Sequence, residues 1–330
     1  MLALIHLRAN IAAFGGDPAR VTIAGQSAGA ASVHELIAAP GAKGLFARAI
    51  AQSGSGMGLG ATPRAAAEAD GARFAGQAGA RSLADLRAMP AEALLAVRGE
   101  GGIPGLRFAP IVDGVFIPAD PNDPAKAASN VPMLTGLTAD EASGMDPGYG
   151  RATAAGLKGQ LAAAFGVLSA RAEGLYTASN DAEAAAVGRR WARERGLAST
   201  VLWADQRRRS GGAPTYVYQF THVEPGPDAA RYGAFHSSEI PYVYQTLDKS
   251  PDRPFTDADR KLSERMAAYW VNFVKGGDPN GADLPAWPRF DADGRVLAIG
   301  ADTAAREALP PETLSLYRDL AARGGRMGIF

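Results

Sequence analysis

The 330-residue chain carries 34 basic and 34 acidic residues, so its formal net charge is zero. A chain of this length can bury a sizeable core, as one large α/β domain or as two medium ones. The charge balance argues against binding to nucleic acid and against electrostatic binding to a membrane surface. The absence of cysteine excludes disulfides, thiol nucleophiles and cysteine-based metal sites.

Neither a membrane span nor a signal peptide is predicted within the given residues. No run of 18 apolar residues is present, so no transmembrane helix is expected. The first ten residues lack a basic segment followed by a long apolar core, and therefore do not resemble a signal peptide. They are typical of the middle of an amphipathic helix. A cysteine-free composition is compatible with a reducing compartment and favours the cytoplasm.

The first predicted elements alternate between helix and strand. Apolar residues at helical spacing predict a helix over residues 2–13, and the breaker cluster at 14–18 ends it. The short, apolar run at 21–25 predicts a buried parallel strand. A second helix is predicted over 28–38 and a second strand over 48–52.

The same alternation continues to the end of the chain. Residues 63–97 are alanine-rich and predict helices broken near Gly79 and Pro90. Further strands are predicted over 132–136, 215–220 and 295–299, a loop or short strand over 108–114, and further helices over 151–209 (broken near Gly174 and Asn180), 256–275 and 312–322. This order predicts an α/β fold with a mostly parallel sheet flanked by helices, as a single domain over residues 1–330. The basic run 207–209 is interpreted as a solvated helix end.

A nucleophile motif lies between the strand at 21–25 and the helix at 28–38. Residues 25–29 read Gly-Gln-Ser-Ala-Gly and fit the pattern G-x-S-x-G, which requires this strand-turn-helix context. The turn is tight and strained, and flanking glycines avoid clashes. The context disfavours an accidental match in a glycine- and alanine-rich chain. It predicts Ser27 as a nucleophile, with the Ala28 N–H at the helix start facing an oxyanion.

A serine hydroxyl needs a base to take its proton and an acid to orient that base. In folds with this motif the chain order is serine, acid, histidine, which excludes His6. His34 lies on the same predicted helix as Ser27 and is interpreted as a helix-surface histidine. His222 and His236 both remain, and chain order does not separate them.

The acid is equally open on residue order alone. Asp140 and Glu141 follow the predicted strand at 132–136, at the carboxyl end where active sites of parallel sheets gather. Asp113 is a weaker third candidate.

Five stretches of the chain together indicate a family. They are residues 10–33 (containing G-G-D-P-A-R-V-T-I-A-G-Q-S-A-G), 44–55, 131–143 (V-P-M-L-T-G-L-T-A-D-E-A-S), 233–244 (G-A-F-H-S-S-E-I-P-Y-V-Y) and 266–280. In content and order they resemble the type-B carboxylesterases, which include bacterial para-nitrobenzyl esterases and cholinesterases. The resemblance implies an α/β-hydrolase fold and hydrolysis of small-molecule esters through an acyl-enzyme, without a metal or organic cofactor.

The resemblance also implies residue roles. Glu141 falls on the family's acid, although Ala142 replaces the usual glycine after it, and His236 falls on the family's base. Ser53 matches a serine that supports the acid by hydrogen bonding in relatives. Glu239 matches a buried acidic residue of structural role.

The resemblance says less about substrate preference than about residue roles. Gln26 replaces a glutamate often found beside the nucleophile in cholinesterases, and this loss of negative charge weakens the case for a cationic choline ester. Phe108, Phe116, Tyr232 and Phe235 are candidates to line the substrate site, although ordinary packing accounts for each as well.

The family has a long section before the helix at 2–13, with several strands and an H-G-G-type loop that gives two oxyanion donors. This chain shows no such loop, so it is interpreted as an N-terminally truncated family member in which Ala28 is the remaining donor. A leader, if any, would lie in that section. The strand at 21–25 would then form an exposed edge, open to a second copy or to a complementing chain.

Three alternatives to an esterase stay open. The first is an inactive truncated fragment, and the second is a non-catalytic scaffold of the cholinesterase-like kind. The third is a serine hydrolase that cleaves amides, carbamates or lactones. The second is disfavoured because Ser27, Glu141 and His236 are all present.

Overall fold

The computed structural model describes residues 1–58, 61–98, 109–325 and 327–328. The chain divides into two compact units, residues 1–59 with 122–330, and residues 60–121. Each unit holds its own sheet. The single domain interpreted from the sequence stays a prediction.

The helices and strands are as follows. The strands are β1 (Thr22–Gln26), β2 (Arg48–Gln52), β3 (Thr62–Pro63), β4 (Ile111–Val112), β5 (Met133–Thr138), β6 (Thr215–Phe220), β7 (Arg295–Ile299) and β8 (Ala304–Glu307). The α-helices are α1 (Leu2–Asn10), α2 (Ala28–Ala38), α3 (Arg64–Gln77), α4 (Leu83–Ala88), α5 (Ala91–Ala96), α6 (Ala154–Phe165), α7 (Ser169–Leu175), α8 (Asp181–Arg209), α9 (Ala229–Tyr232), α10 (Ile240–Val243), α11 (Asp257–Gly276) and α12 (Pro311–Ala322).

The larger unit is built on a six-stranded sheet in the order β1-β2-β5-β6-β7-β8. All neighbours run parallel except β8, which pairs antiparallel with β7. Every residue of the central β5 is buried, as expected for a strand covered on both faces. The mostly parallel sheet predicted from the sequence is therefore confirmed. Among the described residues, β1 has a strand neighbour on one side only.

The smaller unit contains α3, α4 and α5 with the two-stranded parallel sheet of β3 and β4. The predicted helix breaks near Gly79 and Pro90 fall between these helices, as expected. β4 lies inside the segment predicted as a loop or short strand, whereas Phe108 lies outside the described residues.

Aromatic side chains dominate the core around β6 and α11. The buried cluster includes Tyr216, Tyr218, Phe220, Tyr242, Tyr269, Trp270, Phe273 and Trp287. The Trp287 indole donates to the Val217 carbonyl at 3.1 Å, so its polar group is satisfied within the core. α11 begins after a capping box between Thr256 and Asp259 and ends at Gly277, which has a φ of 79°. These are the ends expected from the sequence.

The interpretation of residues 207–209 as a solvated helix end is wrong for Arg207. Its side chain is buried and donates to the Thr215 hydroxyl at 3.1 Å and to the Val131 carbonyl at 2.6 Å. The last turn of α8 packs against the start of β6, so this arginine faces the sheet while Arg208 and Arg209 pair with Asp205. Burial lowers the pKa of Arg207 to about 10.

The interpretation of His34 as a surface histidine is also wrong. His34 is buried on α2, where its Nε2 lies 2.9 Å from the Ser55 hydroxyl and its ring meets the edge of Trp203. Burial, with the nearby charge of Arg207 second, lowers the pKa of His34 to about 3, so it is neutral. The helix repeat places it on the face turned to the core.

In the described part of the chain, no helix combines the length and the apolar character that crossing a membrane requires.

The turn between β1 and α2 requires a close approach of two backbone segments. A Cβ built on Gly25 would lie 2.1 Å from the carbonyl oxygen of Gly29. This is far inside contact distance, so only glycine fits at position 25. At Gly29, by contrast, a Cβ would meet nothing within 4 Å outside its own helix.

We therefore expect Gly25→Ala to destabilise the chain by about 1–3 kcal/mol, because the added methyl group forces β1 and α2 apart. Gly29→Ala is the matched control and should leave stability unchanged or slightly raise it. Thermal unfolding followed by circular dichroism measures both. Equal melting temperatures for the two variants would contradict the close approach.

Candidate active site

Three strands of the sheet end at the same edge because they run parallel. β1 ends at Gln26, β2 at Gln52 and β5 at Thr138. Ser27 follows the first of these ends directly, and Glu141 lies three residues beyond the third. The fold therefore brings the predicted nucleophile and one predicted acid to one edge of the sheet.

Ser27 has a backbone conformation that residues with a side chain seldom adopt. Its φ is 57° and its ψ is −120°. Its N–H donates to the Gln52 carbonyl at 2.9 Å and its carbonyl accepts from the Ala31 N–H at 3.1 Å. The neighbouring strand and helix thus hold the strained turn that the G-x-S-x-G motif requires.

Ala28, predicted as an oxyanion donor, is the first residue of α2. The first N–H groups of a helix have no partner within the helix, and the helix dipole favours negative charge there. The position suits the predicted role, which stays a prediction.

Glu141 is buried and its carboxylate is held on both oxygens. Oε1 accepts from the Ser53 hydroxyl at 2.6 Å and from the Thr138 N–H at 2.7 Å. Oε2 pairs with Nδ1 of His236. Ser53 itself has a φ of 54°, and its N–H donates to the Gly136 carbonyl at 2.8 Å. The predicted acid, its supporting serine and the predicted base are therefore in direct contact.

His236 links Glu141 to the turn that carries Ser27. Because a carboxylate only accepts, Nδ1 is the protonated nitrogen, and Nε2 is left as an acceptor. Nε2 lies 3.2 Å from Nε2 of Gln26, whose amide N–H can donate to it. Gln26 directly precedes Ser27, so the basic nitrogen of the imidazole is held beside the nucleophile turn.

The surroundings raise the pKa of His236 above its ordinary value of 6.5. Burial acts to lower this pKa. The hydrogen bond to Glu141 and the negative charge of Glu141 raise it by more than burial lowers it, and the charge of Glu239 raises it further by a smaller amount. The site therefore stabilises the imidazolium, which is the form that a general base adopts after taking a proton.

The alternative acids have other partners. The Asp140 carboxylate accepts from Arg193 and Tyr149 rather than from a histidine. Asp113, in the smaller unit, accepts three backbone N–H groups of its own loop, from residues 115, 116 and 117. Neither carboxylate contacts an imidazole in the described residues.

His222, the alternative base, belongs to another cluster. Its Nε2 lies 2.6 Å from Oδ1 of Asp259, which also accepts from the Tyr242 hydroxyl at 2.8 Å. Asp259 belongs to the capping box of α11, so this histidine contacts the start of that helix. No group of three histidine, aspartate or glutamate side chains in the described residues could hold a metal ion.

Three buried side chains, Trp270, Gln52 and Glu239, form a series of hydrogen bonds near this site. The Trp270 indole donates to Oε1 of Gln52 at 3.1 Å, and Gln52 Nε2 donates to Oε1 of Glu239 at 2.9 Å. Burial, followed by the charge of Glu141, raises the pKa of Glu239 to about 7. Neither Gln52 nor Trp270 was predicted to belong to the site. The one signal for Gln52 is that a polar residue closes an otherwise apolar strand at its carboxyl end.

Two of the candidate aromatic residues line a cavity of about 470 Å³ beside the His236 loop. Tyr232 and Phe235 share it with Glu224 and Arg253. Phe116 lies in the smaller unit.

The chain is similar to a family of known proteins. The model of the carboxylesterase family matches residues 1–165 and 168–316. A phenmedipham hydrolase of Pseudarthrobacter oxydans is 31% identical over 336 residues, which cover 95% of this chain and 66% of that protein. A para-nitrobenzyl esterase of Bacillus subtilis is 29% identical over 316 residues, covering 90% of this chain and 61% of that protein.

Solved structures give the same result. The crystal structure of a carboxylesterase of Geobacillus stearothermophilus matches with a TM-score of 0.77 and 32% identity, over 96% of this chain and 67% of that one. The chain thus spans roughly two thirds of the length of these relatives. The fold predicted from the sequence is confirmed as that of the α/β-hydrolases, and the chain belongs to the carboxylesterase family.

Proposed function

We propose that the chain hydrolyses carboxylic esters of small molecules through an acyl-enzyme, with Ser27 as nucleophile, His236 as general base and Glu141 as the acid that orients the base. The observation that carries this proposal is the position of the His236 imidazole, with Glu141 on Nδ1 and the residue before Ser27 on Nε2. Family membership and relatives named as esterases support the same reaction.

In the first half of the reaction, His236 Nε2 takes the proton of the Ser27 hydroxyl while the Ser27 oxygen attacks the ester carbonyl. Glu141 stabilises the imidazolium that forms. The proton then passes from Nε2 to the alcohol oxygen as the carbonyl–oxygen bond breaks, and the alcohol leaves an acylated Ser27.

In the second half, His236 takes a proton from water, whose oxygen attacks the acyl carbonyl. The tetrahedral intermediate collapses, the proton returns to the Ser27 oxygen, and the carboxylic acid leaves. The Ala28 N–H is the proposed donor to the oxyanion in both halves, and removing a single such donor typically costs about 10²–10³ in kcat.

The neutral Gln26 favours uncharged esters. An amide beside Nε2 offers no negative charge to a cationic alcohol group, whereas a carboxylate at this position would attract one.

We further propose that β1 pairs with another chain, either a second copy or a complementing polypeptide. The described residues give it a strand neighbour on one side only, and a sheet edge of this kind can pair with a further strand. Size-exclusion chromatography with light scattering on the purified chain should therefore show a dimer or larger species, or complex formation with a complementing chain. A monomer that is fully active without a partner would contradict this pairing.

Ser27→Ala should lower kcat/KM for para-nitrophenyl acetate and butyrate by about 10³-fold or more, because the acyl-enzyme can no longer form. Ser32→Ala is the matched control, since Ser32 is an exposed serine of the same helix. It should leave turnover unchanged. Turnover that survives Ser27→Ala, or a wild-type chain that never turns over, would contradict the proposed function.

The pH dependence follows from the raised pKa of His236. Only the neutral imidazole can take the serine proton, so kcat/KM should fall as the pH drops through a midpoint above 6.5. Gln26→Glu places a carboxylate at Nε2, which stabilises the imidazolium and should move this midpoint to higher pH.

Gln160→Glu makes the same change of charge at an exposed position of α6 and should leave the midpoint in place. A midpoint at or below 6.5 would contradict the raised pKa of His236, and an equal shift in both variants would contradict the contact between Gln26 and Nε2.

A further inference from the structure

Asp140 directly precedes Glu141, and each oxygen of its carboxylate accepts two hydrogen bonds, none of them from the triad. Its side chain is 3% exposed. Oδ1 accepts from Arg193 Nε at 2.7 Å and from the Tyr149 hydroxyl, and Oδ2 accepts from Arg193 Nη2 at 3.0 Å and from the Ala234 N–H at 3.0 Å. The two contacts with Arg193 form a parallel fork, the strongest common geometry for such a pair.

The backbone of Asp140 is tied to the same loop. Its N–H donates to the Ala234 carbonyl at 2.8 Å, and Asp140 forms a parallel bridge with Phe235. A Cβ on Gly233, whose φ is 59°, would lie 2.2 Å from Oδ2 of Asp140. The loop that ends at His236 therefore approaches this carboxylate as closely as a glycine allows.

The charge of Asp140 is balanced within this cluster. Arg193, on α8, keeps its proton because the hydrogen bond and charge of Asp140 outweigh the lowering of its pKa by burial. Burial, followed by the hydrogen bond to Asp140, raises the pKa of Tyr149, so its hydroxyl stays a donor. A buried pair of this kind adds little net stability over apolar packing, but it fixes geometry, and breaking it leaves a buried charge unpaired.

We propose that Asp140 is a positioning residue that holds the His236 loop against the turn carrying Glu141, and so sets the contact between imidazole and carboxylate. This role rests on the proposed ester hydrolysis by the triad. Asp140 acts through His236 and Glu141 and does not touch the substrate. Without it, the loop would keep its backbone hydrogen bonds to the Glu141 turn and the Glu141–His236 contact, but it would lose the carboxylate that joins the Ala234 N–H to Arg193.

The hydrogen bonds also define the informative substitution. Every described partner of the Asp140 side chain is a donor. An asparagine in its place can accept on one side only, because its NH₂ group would face a donor on the other. Asp140→Asn keeps the shape of the side chain but breaks one of the two contacts with Arg193, together with the bond from either Tyr149 or Ala234.

The test is the pKa of His236, measured by NMR on the full chain labelled with [¹³Cε1]histidine. The chain has four histidines, so the signals are few, and His236→Gln assigns the one of interest. Asp140→Asn should lower the pKa of His236 by about one pH unit, because the hydrogen bond to Glu141 loosens. Glu141→Gln should lower it further, and adding Asp140→Asn to Glu141→Gln should change little more, since both act through one contact.

Asp205→Asn is the matched control. Asp205 is also a partly buried aspartate paired with arginines, Arg208 and Arg209, but at the far end of α8. This variant should leave the pKa of His236 unchanged. An unchanged pKa in Asp140→Asn, or an equal fall in Asp205→Asn, would overturn the proposal.

Two further measurements test the same role of Asp140. In Asp140→Asn, kcat should fall about 10- to 100-fold with little change in KM, as expected for a misplaced base. Arg193→Lys keeps the charge but loses the fork, so it should lower the pKa of His236 by less, and it carries the same test if Asp140→Asn does not fold. Because the NMR titration needs no turnover, an inactive wild-type chain would contradict the proposed function and still leave the pKa comparison decisive.

Discussion

The candidate site depends on the buried carboxylate of Glu141. A carboxylate away from water is stable only when its oxygens are occupied by donors. The structure provides them from two adjacent strands, through Ser53 beyond β2 and Thr138 at the end of β5, and leaves Oε2 for His236. The parallel register of β2 and β5, which pairs Gln52 with Gly136, places these donors on one carboxylate. The orientation and the raised pKa of the imidazole follow from that arrangement.

Much of the fold could be predicted because local signals and burial agree. The apolar strands β1, β2, β5 and β6 and the amphipathic α11 were predicted within a residue or two, since strand runs and helix caps are local features. The nucleophile turn was equally clear, because Gly25 is required by the close approach of two backbone segments. The family resemblance, rather than periodicity, singled out Glu141 and His236 from their neighbours, and the structure brings these two into contact.

Other features depend on contacts between distant parts of the chain. His34 and Arg207 looked like surface residues because histidine and arginine are mostly exposed in folded proteins, yet both are buried. The partners of Gln52 and Asp140 could not be predicted, because they lie roughly 50 to 220 residues away along the chain. The short β8, α9 and α10 were not predicted, since a few residues carry too little periodicity.

The most direct measurement is the reaction of the full chain with a fluorophosphonate, followed by peptide mapping of the modified serine. A serine reacts in this way only when a base has activated it. We expect the label on Ser27, and we expect His236→Gln to abolish it. A chain that takes up no label, or that carries it on other serines while Ser27 stays unmodified, would contradict a working triad of Ser27, Glu141 and His236.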